Sequence, residues 1–228
     1  MSFLMNIYRY VTSLIHTTFD GTNEYVTMGD VLDFSRTDSF SVSFWFNPST
    51  VATSFVVCKR ASIAGWACSI NTNKLQFILN GTTSGRRIIA RGNTVLSTST
   101  WYHVLITYDG SEDIGGVNFY INSSAETITT IDNDLLAEDT TNSDPLTIGD
   151  KSGTGTNFHG KIDKVVIYND VVTSGEATTI YNYGRKAGLI GIGNEVSQWE
   201  LDTLNPSDEI GSNDGTSTNM DSSNIVVG

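Results

Sequence analysis

The ten residues Trp101-Tyr102-His103-Val104-Leu105-Ile106-Thr107-Tyr108-Asp109-Gly110 constrain this chain more than any others. Successive side chains of an extended strand point to opposite faces. Tyr102, Val104, Ile106 and Tyr108 therefore share one face, and Trp101, His103, Leu105 and Thr107 the other. Asp109-Gly110 closes the run with a turn signal. Residues 39–47 repeat the pattern: Phe40, Val42, Phe44 and Phe46 alternate with Ser41, Ser43 and Trp45. A helix would space its apolar positions at three and four, so period two in aromatic-rich runs marks half-buried strands. The face holding Trp101, His103 and Leu105 is expected to point inward, with His103 a hydrogen-bonded core or boundary histidine.

Similar runs recur with turns between them, as in an all-β sandwich. They include 25–30, the pair around Cys58 and Cys68, 74–80 ending at Asn80-Gly81, 86–91, 115–124, 145–150 and 158–169, the last with Ile162, Val165 and Ile167. One short helix is expected over 174–183. Thr173 and Glu176 form a capping box, and Gly184 can stop the helix. Composition agrees: Gly is common at 21, Pro rare at 3, and charged residues make up only 17% of 228 positions. The length suits one large all-β domain.

The net charge of −12 argues against nucleic acid, which binds proteins through Lys and Arg. No apolar stretch approaches the about 20 residues that span a bilayer, so no membrane insertion is expected. Residues 1–19 carry Arg9, lack a basic leading run and show no small-residue cleavage site, so no signal peptide is expected. Cys58 and Cys68 mirror about residue 63, so a simple hairpin would set them opposite each other. A bridge is geometrically open, while reduced buried thiols are the favoured reading. His16, His103 and His159 form no zinc-ligand spacing. Neither a nucleophile elbow nor a phosphate loop is present.

Several phrases, in this order, resemble the laminin-G-like, concanavalin A-like lectin family: FDGTNEYVTMGD, FSVSFWFNPST, WYHVLITYDG, VNFYIN, LTIGD and FHGKIDKVVIYNDVVTSGEATTIYNYG. The resemblance covers about residues 16–184. It implies a two-sheet antiparallel jelly-roll sandwich. Relatives commonly carry a W-x-x-D…D-x-x-G-x-x-G-T segment before the first of these strands. Here the matching residues Trp199, Glu200, Leu201 and Asp202, followed by Asp208, Gly211, Asn213, Asp214, Gly215 and Thr216, stand at the C-terminus. Residues 1–184 are thus expected to form the jelly roll. Residues 185–228 would complete it by circular permutation, donate strands to a neighbouring subunit, or form an unrelated tail.

The resemblance also implies sites. Calcium, the one cofactor expected, would be held by Asp20, Asn23, Glu24 and Asp163, although relatives often have Asp where Glu24 stands. Carboxylates and amide oxygens are the ligands calcium takes. Glycan-cleaving members carry Glu-x-Asp-x-Glu on one strand face, since glycoside hydrolysis needs two carboxylates. Glu200-Leu201-Asp202 is followed by Thr203-Leu204 with no third acid, so no catalytic residue is assigned. A glycan-binding surface needs an exposed aromatic with polar neighbours; Trp66 is the candidate, with Arg60, Arg86 and Arg87.

The first function expected is a non-catalytic protein of a phage virion surface, a capsid decoration or fibre module. Its partners would be other virion or capsid proteins and cell-surface glycans, with homo-oligomers open. The alternatives are an extracellular carbohydrate-binding module of a secreted bacterial protein and, third, a glycan hydrolase.

Overall fold

The computed structural model describes residues 15–228 except 62, 136, 152, 153, 186, 187 and 189. The N-terminal stretch read for a signal peptide falls largely on residues 1–14, outside the described residues. The strands in chain order are β1 (Ile15–Asp20), β2 (Tyr25–Gly29), β3 (Phe40–Pro48), β4 (Ser54–Lys59), β5 (Gly65–Asn71), β6 (Lys74–Asn80), β7 (Arg87–Gly92) and β8 (Tyr102–Tyr108). They continue with β9 (Val117–Ile121), β10 (Ser124–Glu126), β11 (Ile128–Asp134), β12 (Leu146–Ile148) and β13 (His159–Tyr168). Helix α1 (Ser174–Tyr183) precedes β14 (Glu195–Trp199), β15 (Thr216–Thr218) and β16 (Ile225–Val227).

These strands form two antiparallel sheets. Sheet A runs β10-β9-β8-β3-β13-β1-β16, with β14 also paired to β13; sheet B runs β11-β7-β6-β5-β4-β12-β2-β15. This is the expected jelly-roll sandwich. Strand β3 follows one side of β13, while β1 and β14 lie end to end along the other. The strands of residues 185–228 pair as β14 with β13, β15 with β2 and β16 with β1.

The core lies between the sheets, where alternate residues of each strand interdigitate. Phe40, Val42, Phe44 and Phe46 of β3 meet Trp66, Cys68 and Ile70 of β5 and Phe77 of β6 there. Phe34 stacks on Phe40 at 4.4 Å, and Tyr108 meets Phe40 edge-on at 5.8 Å. Helix α1 covers the outer face of sheet A and adds a second apolar layer of Leu105, Val166, Tyr168, Val172, Ala177 and Ile180. Its N-terminus carries the expected box, with Thr173 Oγ1 accepting from the Glu176 amide at 3.3 Å and the Glu176 carboxylate accepting from the Thr173 amide at 2.8 Å.

This second layer corrects the facing of β8. Tyr102, Val104, Ile106 and Tyr108 point between the sheets. His103 and Leu105 instead face outward, where His103 lies beside Trp45 at 5.1 Å and Tyr181 at 6.0 Å. Both faces of β8 are buried, so alternation alone does not say which is the inter-sheet face.

The hairpin about residue 63 is offset by one position. An irregularity between Phe55 and Val57 pairs Cys58 with Ala67 and Cys68 with Val57. A one-residue slip sends side chains to opposite faces. Cys68 points into the core and Cys58 to the outer face of sheet B, and both are free thiols.

Candidate functional site

The turn between β1 and β2 is fixed by its own side chains. Asp20 Oδ1 accepts from the Thr22 amide at 2.7 Å, the self-bonding that suits Asp to turns. Gly21 sits at φ 80°, and a Cβ there would approach His159 Cβ to 2.7 Å, so the site needs glycine. Glu24 is buried beneath the turn. Its carboxylate accepts from the Asp20 amide and, at 2.8 Å, from Asn224 Nδ2. The Asn23 carbonyl accepts from Asn219 Nδ2 at 3.0 Å. The turn is thereby joined to the C-terminal residues on both sides.

Two depressions flank it. One, of 240 Å³, is lined by Thr22, Asn23, Tyr25, Asp150, Asn157 and Asn219, among others. Asn157 Nδ2 donates to the Thr22 carbonyl. Its Oδ1 is buried without a partner among the described residues. A buried acceptor left unbonded costs about 1–3 kcal/mol, so a hydroxyl that reached it would gain a partner. The second depression, of 330 Å³, lies on the other side of Asp20 and Glu24 and reaches Ser49, His159 and Lys161. Amides, hydroxyls and carboxylates beside an aromatic ring can orient a polyhydroxyl ligand while offering its C–H face an apolar surface.

The four residues expected to hold calcium do not assemble as a set. Asp20 pairs with His159 across the β1–β13 ladder, whereas Asp163 stands opposite Trp45. Four residues of strand separate them, about 13 Å. Asp163 instead meets Arg185 Nη1 at 3.3 Å on the α1 side of sheet A. Burial pushes its carboxyl up to about 8, against the pull of Arg185. Both oxygens of Glu24 are already accepting, and no three His, Cys, Asp or Glu side chains form a metal-binding group among the described residues. The residues present do not fit the calcium centre that the resemblance implies.

Trp66 is no platform. It is 1% exposed, packs beside Phe40 at 5.6 Å and donates from Nε1 to the Leu32 carbonyl at 3.1 Å. Its phase on β5 is that of Cys68 and Ile70, which face the core. Arg86 and Arg87 lie across β6 from it, whereas Arg60 follows Lys59, its β4 partner. Arg86 pairs with Asp134, and Arg87 with Asp132 at 2.7 Å, both across the β7–β11 edge. Arg60 Nη2 donates to the Ile63 carbonyl at 3.3 Å.

The nearest approach to a hydrolytic acid is also engaged. Glu200 Oε1 lies 3.1 Å from Lys164 Nζ and accepts from Gln198 Nε2 at 2.6 Å. Burial pushes this carboxyl up, and Lys164 opposes the shift.

The sequence pattern of the concanavalin A-like lectin/glucanases superfamily matches residues 20–178, more than half of the chain. The chain belongs to this superfamily. Over 167 residues it is 26% identical to botulinum neurotoxin type X of Clostridium botulinum, covering 69% of this chain and 12% of the toxin. Among solved structures it resembles a putative carbohydrate binding protein from Bacteroides ovatus, at 17% identity and a TM-score of 0.68, over 94% of this chain and 60% of the other. It also resembles a heptameric SAP-like pentraxin from Limulus polyphemus, at 14% identity and a TM-score of 0.56, over 90% of this chain and 96% of that one. The chain thus spans about an eighth of the toxin and three fifths of the Bacteroides protein.

Sequence reasoning missed Tyr25, Asp150, Asn157 and Asn219. The polar sequence GDKSGTGTNF before β13 was the available local signal, but nothing in its spacing points to a turn some 130 residues earlier.

Proposed function

We propose that this superfamily member is a non-catalytic glycan-binding module that acts outside the cell and takes its ligand at the β1–β2 rim. The observation that carries this reading is the 240 Å³ depression beside Tyr25, with Asn157 in its wall and the Oδ1 of that residue buried without a partner among the described residues. A sugar hydroxyl supplies the missing donor, while Asp150 and Asn219 offer further polar groups and Tyr25 a ring. The Bacteroides ovatus protein described as carbohydrate-binding shares the fold over most of this chain, which supports the same class of ligand. The engaged state of Glu200, held by Lys164 and Gln198, supports binding without turnover. Placement on a virion surface rests on family association alone; the rim geometry favours the glycan reading.

A glycan array followed by calorimetry tests it. Asn157→Ala and Tyr25→Ala should each weaken binding about tenfold, the effect of losing one good polar or ring contact. Absence of array binding, or binding untouched by both substitutions, overturns the assignment. Turnover of a bound glycan overturns its non-catalytic part.

A further inference from the structure

The two depressions at the rim are lined by the same three stretches of chain. Residues 20–24 give Thr22 and Asn23 to the first, of 240 Å³, and Asp20 and Glu24 to the second, of 330 Å³. Residues 155–161 give Asn157 to the first and His159 and Lys161 to the second. Residues 218–224 give Asn219 to the first and Asn224 to the second. Asn157 and His159 are two positions apart, so no more than about 7 Å of backbone separates them. The depressions are therefore neighbours, divided by a single ridge that the β1–β2 turn forms.

The ridge is held by bonds within the protein. Asn157 Nδ2 donates to the Thr22 carbonyl, and Asn219 Nδ2 to the Asn23 carbonyl at 3.0 Å. Both Glu24 oxygens accept, one from the Asp20 amide and one from Asn224 Nδ2 at 2.8 Å. Asn224 Oδ1 in turn accepts from the Asp221 amide at 2.8 Å. Glu24 and Asn224 are thereby committed to the ridge. In the second depression the exposed Ser49 and His159 and the half-buried Lys161 are left to meet a ligand. Each depression thus sets a ring beside hydrogen-bonding groups: Tyr25 with Asn157 and Asn219 in the first, His159 with Ser49 and Lys161 in the second. A ring can take the C–H face of a sugar while the polar groups take its hydroxyls.

Resting on the rim assignment above, we propose that the ligand is an oligosaccharide whose two adjacent rings occupy the two depressions, one on each side of the β1–β2 turn. One ring lies against Tyr25 and the next against His159, and the linkage between them crosses the ridge. A single ring fills one depression and leaves the groups of the other to water. Joining two rings makes the second contact intramolecular, so affinity rises with no change in the protein. The rim therefore selects for chain length, and its preference ends at the second ring.

The test is calorimetry of the full chain with β1,4-linked glucose, N-acetylglucosamine, mannose and galactose, each supplied as the mono-, di- and trisaccharide. At least one series should bind, with the disaccharide about tenfold tighter than the single ring and the trisaccharide within about twofold of the disaccharide. Ser49→Ala and Lys161→Ala should each pull disaccharide affinity down towards that of the single ring. Tyr25→Ala should weaken the single ring itself. Binding to which the second ring adds nothing overturns the two-ring proposal and leaves the rim assignment standing. A disaccharide affinity that survives both second-depression changes does the same, as does a gain that continues to the third ring. Failure of every series to bind overturns the rim assignment and this proposal with it.

Discussion

Ser43 Oγ lies 2.9 Å from His103 Nε2 in the layer between sheet A and α1. The histidine is wholly buried, and burial lowers its pKa from 6.5 to about 3. The unfolded chain therefore binds one more proton than the native state between those values. Its contribution to stability is fully present above pH 6.5 and is lost as pH falls towards 3. Each pH unit inside the window costs about 1.4 kcal/mol from this group. Urea unfolding at a series of pH values should show stability falling from neutrality to about pH 4.5, less steeply in His103→Gln. Equal slopes in the two proteins would remove His103 as a source of acid sensitivity.

Arg185 joins three separated parts of the chain. It meets Asp163 at 3.3 Å, lies over the Trp101 ring at 3.9 Å and donates to the Gly228 carbonyl at 3.3 Å. Burial raises the Asp163 pKa from 3.8 to about 8, with Glu200 adding to the rise and Arg185 and Lys164 opposing it. A raised carboxyl makes the native state the better proton binder, so stability from this group falls as pH rises through that window. Asp163→Asn should gain on the parent protein between about pH 5 and 8, because its amide carries no charge to desolvate. Arg185→Met should push the Asp163 carboxyl higher still, because one of the two cations opposing the rise is gone, so the fall in stability should extend to higher pH than in the parent. Thermal melts across this range check both. A pH-independent loss in Asp163→Asn would show that its charge is fully compensated.

Trp66 connects stability, not ligand contact, to its position. Truncation to alanine removes a ring that fills the core beside Phe34 and Phe40. The expected cost is about 3–5 kcal/mol. Glycan affinity measured on the folded fraction should stay within about twofold, well under 1 kcal/mol. Selective loss of affinity at unchanged melting temperature would return Trp66 to the ligand surface.

The strands and helix were legible because each advertises itself locally. Phe40, Val42, Phe44 and Phe46 alternate cleanly, and Thr173 with Glu176 spells the start of α1. What was not legible depends on partners distant in sequence. His103 faces α1, some 70 residues later, so its burial gave no hint of which layer it occupies. The irregularity in β4 shifts Cys58 against Cys68 by one position, and no residue type announces it. In β13 the register shifts between Asp163 and Val166, with Lys164 at φ 43°. That bulge lets Ile162 and Val165 both reach the core, while Asp163 turns towards Arg185. The rim site escaped for the same reason, since Tyr25, Asn157 and Asn219 meet only once the sheets have closed.

The C-terminal strands supply the last prediction. Trp199 and Leu201 are fully buried in the inter-sheet core, and Trp199 Nε1 donates to the Asn213 carbonyl at 2.8 Å. Thr17 Oγ1 of β1 donates to the Leu201 carbonyl at 2.8 Å, and Asn224 Nδ2 bonds the Thr18 carbonyl at 2.9 Å. Ending the chain at Gly184 would strip β14 from β13, β16 from β1 and β15 from β2. Three unpaired strand edges and an open core should then abolish cooperative unfolding. Trp199→Ala alone should cost about 3–5 kcal/mol. The pairing within one chain predicts a sandwich closed by its own tail, so light scattering should find a monomer and the unfolding midpoint should not move with protein concentration. Exchange of tails between subunits would instead give a dimer whose midpoint rises with concentration, because assembly then contributes to stability by mass action. A concentration-dependent midpoint would therefore assign the three strands to a neighbouring copy.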